Sequence, residues 1–301
     1  MNLQIKLAII AIAVVIPLSI FAVYETNSNQ QFTTTDSSKL QVISSFYPLH
    51  EFSQNVGQEK VDATLLVPAG VEPHDWGPTI KDVQRMQKSD LIIINGIGFE
   101  NWVDSLAEIG YQGVIVDTSN GILVTNFGQE YTNTSGDPHI WLNPVYAKTQ
   151  VQNIANAFSN LDPKNQQYYQ SNAAKYIQQL DLLDSKIRNE LSNCNHDFVA
   201  FHDAFSYFAD EYNLNQHTII LSNDPHGVAT AKTLEDVIST ARELNIKVIF
   251  SEENVNSKTS EIIANEIDGK VLVLSPIEVF SDGTYISKMT ENLNNLKEAL
   301  C

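Results

Sequence analysis

Residues 162–193, DPKNQQYYQSNAAKYIQQLDLLDSKIRNELSN, decide how the rest of the chain is read. Apolar side chains recur at Tyr169, Ala173, Tyr176, Ile177, Leu180, Leu183, Ile187 and Leu191. Spacings of three and four put them on one face of an α-helix. Asp162 suits the N-cap and Pro163 the first helical position. A helix of about 30 residues spans roughly 45 Å, which makes a strut and not a flexible hinge. The alternative reading is two helices broken near residues 181–184. Outward from this stretch the two flanks read alike. On the N-terminal side short β-branched runs at 42–46, 61–67, 91–95 and 114–117 alternate with helical patterns at 48–56, 79–88, 101–109 and 143–160. On the C-terminal side, strands at 198–201, 218–221, 248–251 and 271–274 alternate with helices at 204–212, 234–244, 258–266 and 286–300. Apolar runs of four to six residues separated by helices predict parallel sheets covered on both faces. The expected fold is therefore α/β: two lobes of parallel β-sheet flanked by helices, at 40–161 and 194–301, joined by a single long rigid helix at 162–193. The ligand is expected in the interlobe cleft, where strands end and loops begin.

The first 39 residues stand apart. Residues 7–24, LAIIAIAVVIPLSIFAVY, carry no charge and as a helix would reach about 27 Å, close to a bilayer core. No small-x-small cleavage site follows and no Cys is at hand for a lipid anchor. Residues 1–24 are therefore expected to be an uncleaved membrane anchor, with a cleaved signal segment as the alternative. Lys6 ahead of it orients the remainder outside the cytoplasm. Residues 25–39, ETNSNQQFTTTDSSK, lack an apolar period and read as a polar tether. The only two cysteines, Cys194 and Cys301, suit that compartment as a disulfide; the alternative is two free thiols. If the last helix runs antiparallel to the strand after Cys194, both lie at one edge of the C-terminal lobe. The formal charge of −18 disfavours nucleic acid and anionic lipid as partners, so the membrane is met only through the N-terminal segment. Asn133-Thr134-Ser135 has the form of an N-glycosylation acceptor.

Four of the seven histidines fall at loop positions after strands. His74 lies in VPAGVEPHDW, His139 in GDPHIW, His202 directly after the strand in VAFHDAF, and His226 in LSNDPHGVA. Three share an acid-Pro-His triplet, in which proline stiffens the backbone that presents the imidazole. In the first two a tryptophan follows, Trp76 or Trp141, able to wall a site from water. Neutral imidazoles suit zinc, copper or nickel, whereas magnesium and calcium want oxygen ligands. Asp203, next to His202, is a candidate second carboxylate that would hold an imidazole tautomer. His50, His196 and His217 read as ordinary polar residues. An enzyme is not expected: no H-E-x-x-H, G-x-S-x-G or phosphate-cradling glycine motif occurs.

In order along the chain, ISSFYPLHEF (43–52), LLVPAGVEPHDWGPT (65–79), DLIIINGIGFENW (90–102), DPHIWLNP (137–144), DPKNQQYYQSNAAKY (162–176), FHDAFSYFADEYNL (201–214) and GTYISKMTENLNNL (283–296) resemble the solute-binding proteins of zinc/manganese ABC transporters. The resemblance implies a metal held between the lobes by His74, His139 and His202. It implies Zn2+ as the ion, with Mn2+ the other choice; histidine at the third position resembles the zinc type. It further implies delivery to an ABC transporter permease by a monomeric extracytoplasmic protein. Relatives commonly place an Asp after the last strand, but VLVLSPIEVF (271–280) puts Ser275 there. The fourth ligand then falls to Glu278, water or His226. Residues 118–136 contain no His, so the histidine-rich loop of some zinc-type relatives is missing. The reading from another class is a surface adhesion or interaction module stabilised by the metal.

Overall fold

Two four-stranded parallel sheets, with strand orders β2-β1-β3-β4 and β6-β5-β7-β8, organise the chain. The computed structural model describes residues 39–125, 136–222, 225–227, 229–253, 255–280 and 282–301. The expected anchor, nearly all of the expected tether, and Asn133 lie outside the described residues. In the first lobe, β1 (Leu40–Ser44), β2 (Val61–Leu65), β3 (Leu91–Ile94) and β4 (Val114–Asp117) alternate with α1 (Tyr47–Gly57), α2 (Ile80–Met86) and α3 (Ser105–Glu108), and α4 (Pro144–Leu161) closes the lobe. In the second lobe, β5 (Asp197–His202), β6 (Asn215–Ile220), β7 (Val248–Ser251) and β8 (Lys270–Val273) alternate with α6 (Ser206–Tyr212), α7 (Ala231–Glu243) and α8 (Lys258–Glu266), followed by α9 (Tyr285–Leu300). Between them runs α5 (Gln166–Leu191). Every strand expected from the sequence is present. The central strands β3 and β7 are buried at each residue, as continuous apolar runs require. Edge strands are not covered on both faces: Val114 and Ile115 on β4 and Val273 at the end of β8 are exposed.

The long helix is continuous for 26 residues, about 39 Å at 1.5 Å each. It does not break at 181–184. Those acidic side chains point outward into partners, Asp181 to Lys148 at 2.7 Å and Asp184 to Tyr212 at 3.0 Å. The start differs from expectation. Residues Pro163–Asn165 form a separate 3-10 turn, and Asp162 makes no capping bond. Its carboxylate instead accepts from Asn165 at 2.5 Å and from the Tyr169 hydroxyl at 2.9 Å. Proline at the first position suits either helix type, so the sequence could not separate them. The predicted apolar face of α5 is buried at Tyr169, Ala173, Tyr176, Leu180, Leu183, Ile187 and Leu191. These residues belong to one apolar cluster that also holds Val42 and Leu91 of the first sheet and Phe198 and Val248 of the second. The helix is thus the spine of a core shared by both lobes.

A buried carboxylate reinforces that junction. Glu51 on α1 accepts the Tyr47 hydroxyl at 2.7 Å, the Tyr176 hydroxyl of α5 at 3.0 Å, and the Tyr285 backbone N–H at the start of α9 at 2.5 Å. Burial, and then the Glu51 charge, raise the Tyr176 and Tyr285 hydroxyls above the usual tyrosine range. Glu51→Leu leaves the buried Tyr176 hydroxyl and the Tyr285 N–H without the acceptor they share, on two elements, while the Tyr47 hydroxyl keeps the Gly283 carbonyl at 2.8 Å. It should lower unfolding free energy by about 3 kcal/mol in urea titrations, and a loss below roughly 0.5 kcal/mol would contradict the bridging role. Cys194, beyond α5, and Cys301, beyond α9, are joined as a disulfide, with Cα atoms 4.6 Å apart.

Candidate metal centre

Each lobe delivers two side chains to one point. His74 stands on the loop after β2 and His139 on the loop ahead of α4, whereas His202 ends β5 and Glu278 follows β8. One ligand atom from each of the four lies within 4.8 Å of the others, and they are the only such group of three or more among the described residues. Glu278 Oε1 is 3.3 Å from His74 Nε2, 3.2 Å from His139 Nε2 and 3.7 Å from His202 Nε2. The two Nε2 atoms of His139 and His202 are 3.4 Å apart. His139 and His202 are fully buried, and His74 retains a small exposed edge.

The local sequence explains the aim of each imidazole. In Asp137-Pro138-His139, the Asp137 carboxylate accepts the His139 backbone N–H at 3.0 Å and its Nδ1–H at 2.7 Å. In Glu72-Pro73-His74, Glu72 accepts the His74 backbone N–H at 3.3 Å. The acid of the triplet ties down the turn that presents the histidine. Glu252, directly after β7, accepts Nδ1–H of His202 at 2.6 Å. With one proton held on Nδ1 by a carboxylate, Nε2 of His139 and of His202 is the atom that meets the cluster and offers its lone pair to a cation once its own proton leaves. His202 ends β5 and Glu252 directly follows the neighbouring strand β7, where the strand order of the second sheet reverses.

Aromatic rings close the sides. The ring centroid of Trp141 lies 5.1 Å from that of His139, and Phe99 packs edge-on at 4.8 Å against His74. Phe99 reaches this place through the turn at Gly96, whose φ of +88° and approach to Asp117 leave no room for a Cβ. Trp76 does not join Trp141 as a wall. It packs against Trp102 at 6.0 Å in the first lobe.

Two expected residues, His226 and Asp203, are placed differently, and Ser275 stands outside the group as its chemistry implied. His226 is exposed and lies 3.9 Å from Asp75, outside the four-residue group. The Asp203 carboxylate accepts from Ser206 at 2.8 Å and Gln216 at 2.5 Å, and the Nδ1 of His202 belongs to Glu252. Adjacent residues at a strand end point to opposite sides, so Asp203 could not share the direction of His202. Ser275 turns its hydroxyl to Glu253 at 2.7 Å and does not enter the group. Glu252 and Asp137 are orienting carboxylates that spacing alone did not reveal. Asp137 lay in the triplet, but nothing in the string SEEN marks Glu252.

Electrostatics bind the set together. Burial alone would lower His139, but the Asp137 and Glu278 carboxylates outweigh it and raise it to about 9. Burial likewise opposes the charged form of His202, yet Glu252 and Glu278 hold it well above the ordinary range. Glu278 is depressed well below a normal carboxyl: burial pushes it up, and His74, His139 and His202 overcome that. Its second oxygen, Oε2, is buried with no hydrogen-bond partner. A buried carboxylate with an unmatched oxygen, facing three imidazoles, fits a divalent cation in their midst. For the metal-free protein the sign follows from the raised His139. Its contribution to stability is complete below the unfolded value near 6.5 and is lost as pH rises through about 9. The urea midpoint of the metal-free protein should therefore fall between those pH values, and a flat or rising midpoint would contradict the raised imidazole.

Residues 42–299 match the family described as zinc-uptake complex component A, periplasmic. The chain belongs to this family. Its members are substrate-binding proteins of ABC transporters and not enzymes. The high-affinity zinc uptake system protein ZnuA of Bacillus subtilis (strain 168) is 35% identical over 293 residues, covering 91% of this chain and 92% of that protein. The zinc-binding protein AdcA of Streptococcus pyogenes serotype M6 is 30% identical over 93% of this chain, which spans 59% of AdcA. Among solved structures, Zn(II)-bound AdcA from Streptococcus pneumoniae has a TM-score of 0.76 at 30% identity, covering 87% of this chain and 57% of that one. The laminin-binding protein Lmb of Streptococcus agalactiae, titled a bifunctional protein with adhesin and metal transporting activity, has a TM-score of 0.80 at 28% identity over 87% of this chain and 99% of its own.

Proposed function

We propose that this protein captures Zn2+ outside the cytoplasm with His74, His139, His202 and Glu278, and passes it to the permease of an ABC transporter. The observation that carries this reading is the convergence of three imidazole nitrogens and one buried carboxylate within 4.8 Å. Three neutral nitrogens and one anionic oxygen are a set that zinc accepts in tetrahedral form. Manganese binds such nitrogen-rich sites more weakly along the first-row series, so it is the lesser cargo. The zinc-binding relatives named above support the same ion, and the periplasmic description of the family supports the compartment. The disulfide suits an oxidising location. Among the described residues no helix is long and apolar enough to cross a membrane. A membrane anchor therefore rests on the charge-free residues 7–24, which lie outside them.

Equilibrium dialysis should give one tightly bound zinc per chain, with manganese displaced by stoichiometric zinc. Two equal zinc sites, or no preference over manganese, would overturn the reading. Affinity should also climb with pH. Zinc must displace the protons that Glu278 and the orienting carboxylates hold on His139 and His202, whereas Glu278 is already ionised. One to two protons released correspond to a gain of about 10- to 100-fold per pH unit below pH 9. A pH-independent dissociation constant between pH 6 and 8 would contradict it.

The likeness to Lmb favours a second reading, an adhesion module that holds the metal structurally. Circular dichroism after chelation separates the two. A transport protein keeps its helices and loses only compactness, whereas a metal-stabilised module unfolds.

A further inference from the structure

We infer that Asn292 and Ser275 are positioning residues for Glu278, holding it in the cluster through a turn that the backbone alone disfavours. The inference rests on the zinc-site reading above. Between β8 and Glu278 the chain runs Ser275-Pro276-Ile277, and Ile277 has φ +58°. A β-branched residue in the left-handed region is strained and persists only where its surroundings over-determine it. Here they do. Asn292, buried on α9, accepts the Ser275 backbone N–H at 2.8 Å and donates to the Ser275 carbonyl at 2.7 Å. The Ser275 hydroxyl accepts the Ile277 N–H at 3.2 Å and donates to Glu253 at 2.7 Å. Glu253 is pinned by Lys288, one helical turn before Asn292, at 2.7 Å. From the other lobe the Trp141 indole N–H donates to the Pro276 carbonyl at 2.8 Å.

Three residues after the clamped Ser275, and directly after Ile277, comes Glu278 itself. Without the clamp Ile277 relaxes toward an extended conformation, and the direction of Glu278 changes with it. Asn292 and Ser275 touch none of the three histidines in the metal group, so their effect on the metal passes through Glu278. The same α9 that clamps the turn also begins at the Tyr285 N–H held by Glu51. Interlobe packing and the fourth ligand are therefore set by one helix.

A double-mutant cycle on the full chain tests this, read by zinc competition against a chelator and by the visible absorption of the cobalt-loaded protein. Glu278→Gln and Asn292→Ala should each weaken zinc by about 10- to 100-fold and alter the cobalt spectrum in the same way. In the double variant, affinity should be no weaker than in Glu278→Gln alone. Ser275→Ala should shift affinity in the same direction by a smaller factor, and it carries the cycle if Asn292→Ala does not fold. Wild-type affinity and spectrum in folded Asn292→Ala and Ser275→Ala, or losses that multiply in the double variant, would overturn the inference. An unchanged affinity in Glu278→Gln would instead overturn Glu278 as a ligand, which separates the two failures.

Discussion

His139→Ala should weaken zinc binding by about 1,000-fold while leaving the protein folded, the largest loss expected of any single substitution in the site. Three effects add at this residue. A nitrogen donor is removed from a four-ligand set. The Asp137 carboxylate loses the Nδ1–H it holds at 2.7 Å and is left buried without that partner. The ring that packs between Trp141 and His202 disappears, opening the dry side of the site. His74→Ala should cost less, because His74 keeps a solvent edge and its side chain has no orienting carboxylate as close as Asp137. Calorimetry at neutral pH with chelator-buffered zinc measures both. Equal losses for the two variants, or a loss under tenfold for His139→Ala, would contradict the assigned geometry.

Cys194→Ser with Cys301→Ser should lower unfolding free energy by about 4–5 kcal/mol, a fall of roughly 10–15 °C in Tm. The cysteines are 107 residues apart, so the bond closes nearly the whole C-terminal lobe and restricts a long loop in the unfolded chain. It fixes the end of α9 beside the segment leaving α5, where the Asn195 N–H also donates to the Leu300 carbonyl at 2.9 Å. Because α9 bears Asn292 and Lys288, some loss of zinc affinity should accompany the loss of stability. Scanning calorimetry of the metal-free protein checks the first part. A shift below about 3 °C would show that packing along α9 alone secures the lobe.

These two expectations draw on different parts of the chain's legibility. The strand and helix alternation was readable because central parallel strands must be apolar along their whole length and because the α5 face repeats every three to four residues. The same repetition identified the strut, and 162–193 was too long at the start because a 3-10 turn and an α-helix share their opening residues, and by two residues at the end, where the helix stops at Leu191. His74, His139 and His202 could be singled out since each follows a strand in a stiff acid-Pro-His or strand-end context. Glu278 was one of three choices. Nothing in VLVLSPIEVF says that Ile277 adopts a left-handed conformation, so nothing says which way Glu278 points.

By itself, then, the amino-acid sequence determined what depends on neighbours along the chain: periodicity, the alternation of elements, the stiffness of the Pro-His loops, and the surplus of negative charge. Only the tertiary structure decided what depends on distance in space. It brought Glu278, and not His226, into the group with the three histidines, placed Glu252 rather than Asp203 on the imidazole of His202, and joined Cys194 to Cys301. The physical reason is that a ligand set is a convergence of directions. Those directions are fixed by helix α9, the switch point of the second sheet and the contact between lobes, which bring together residues far apart in sequence.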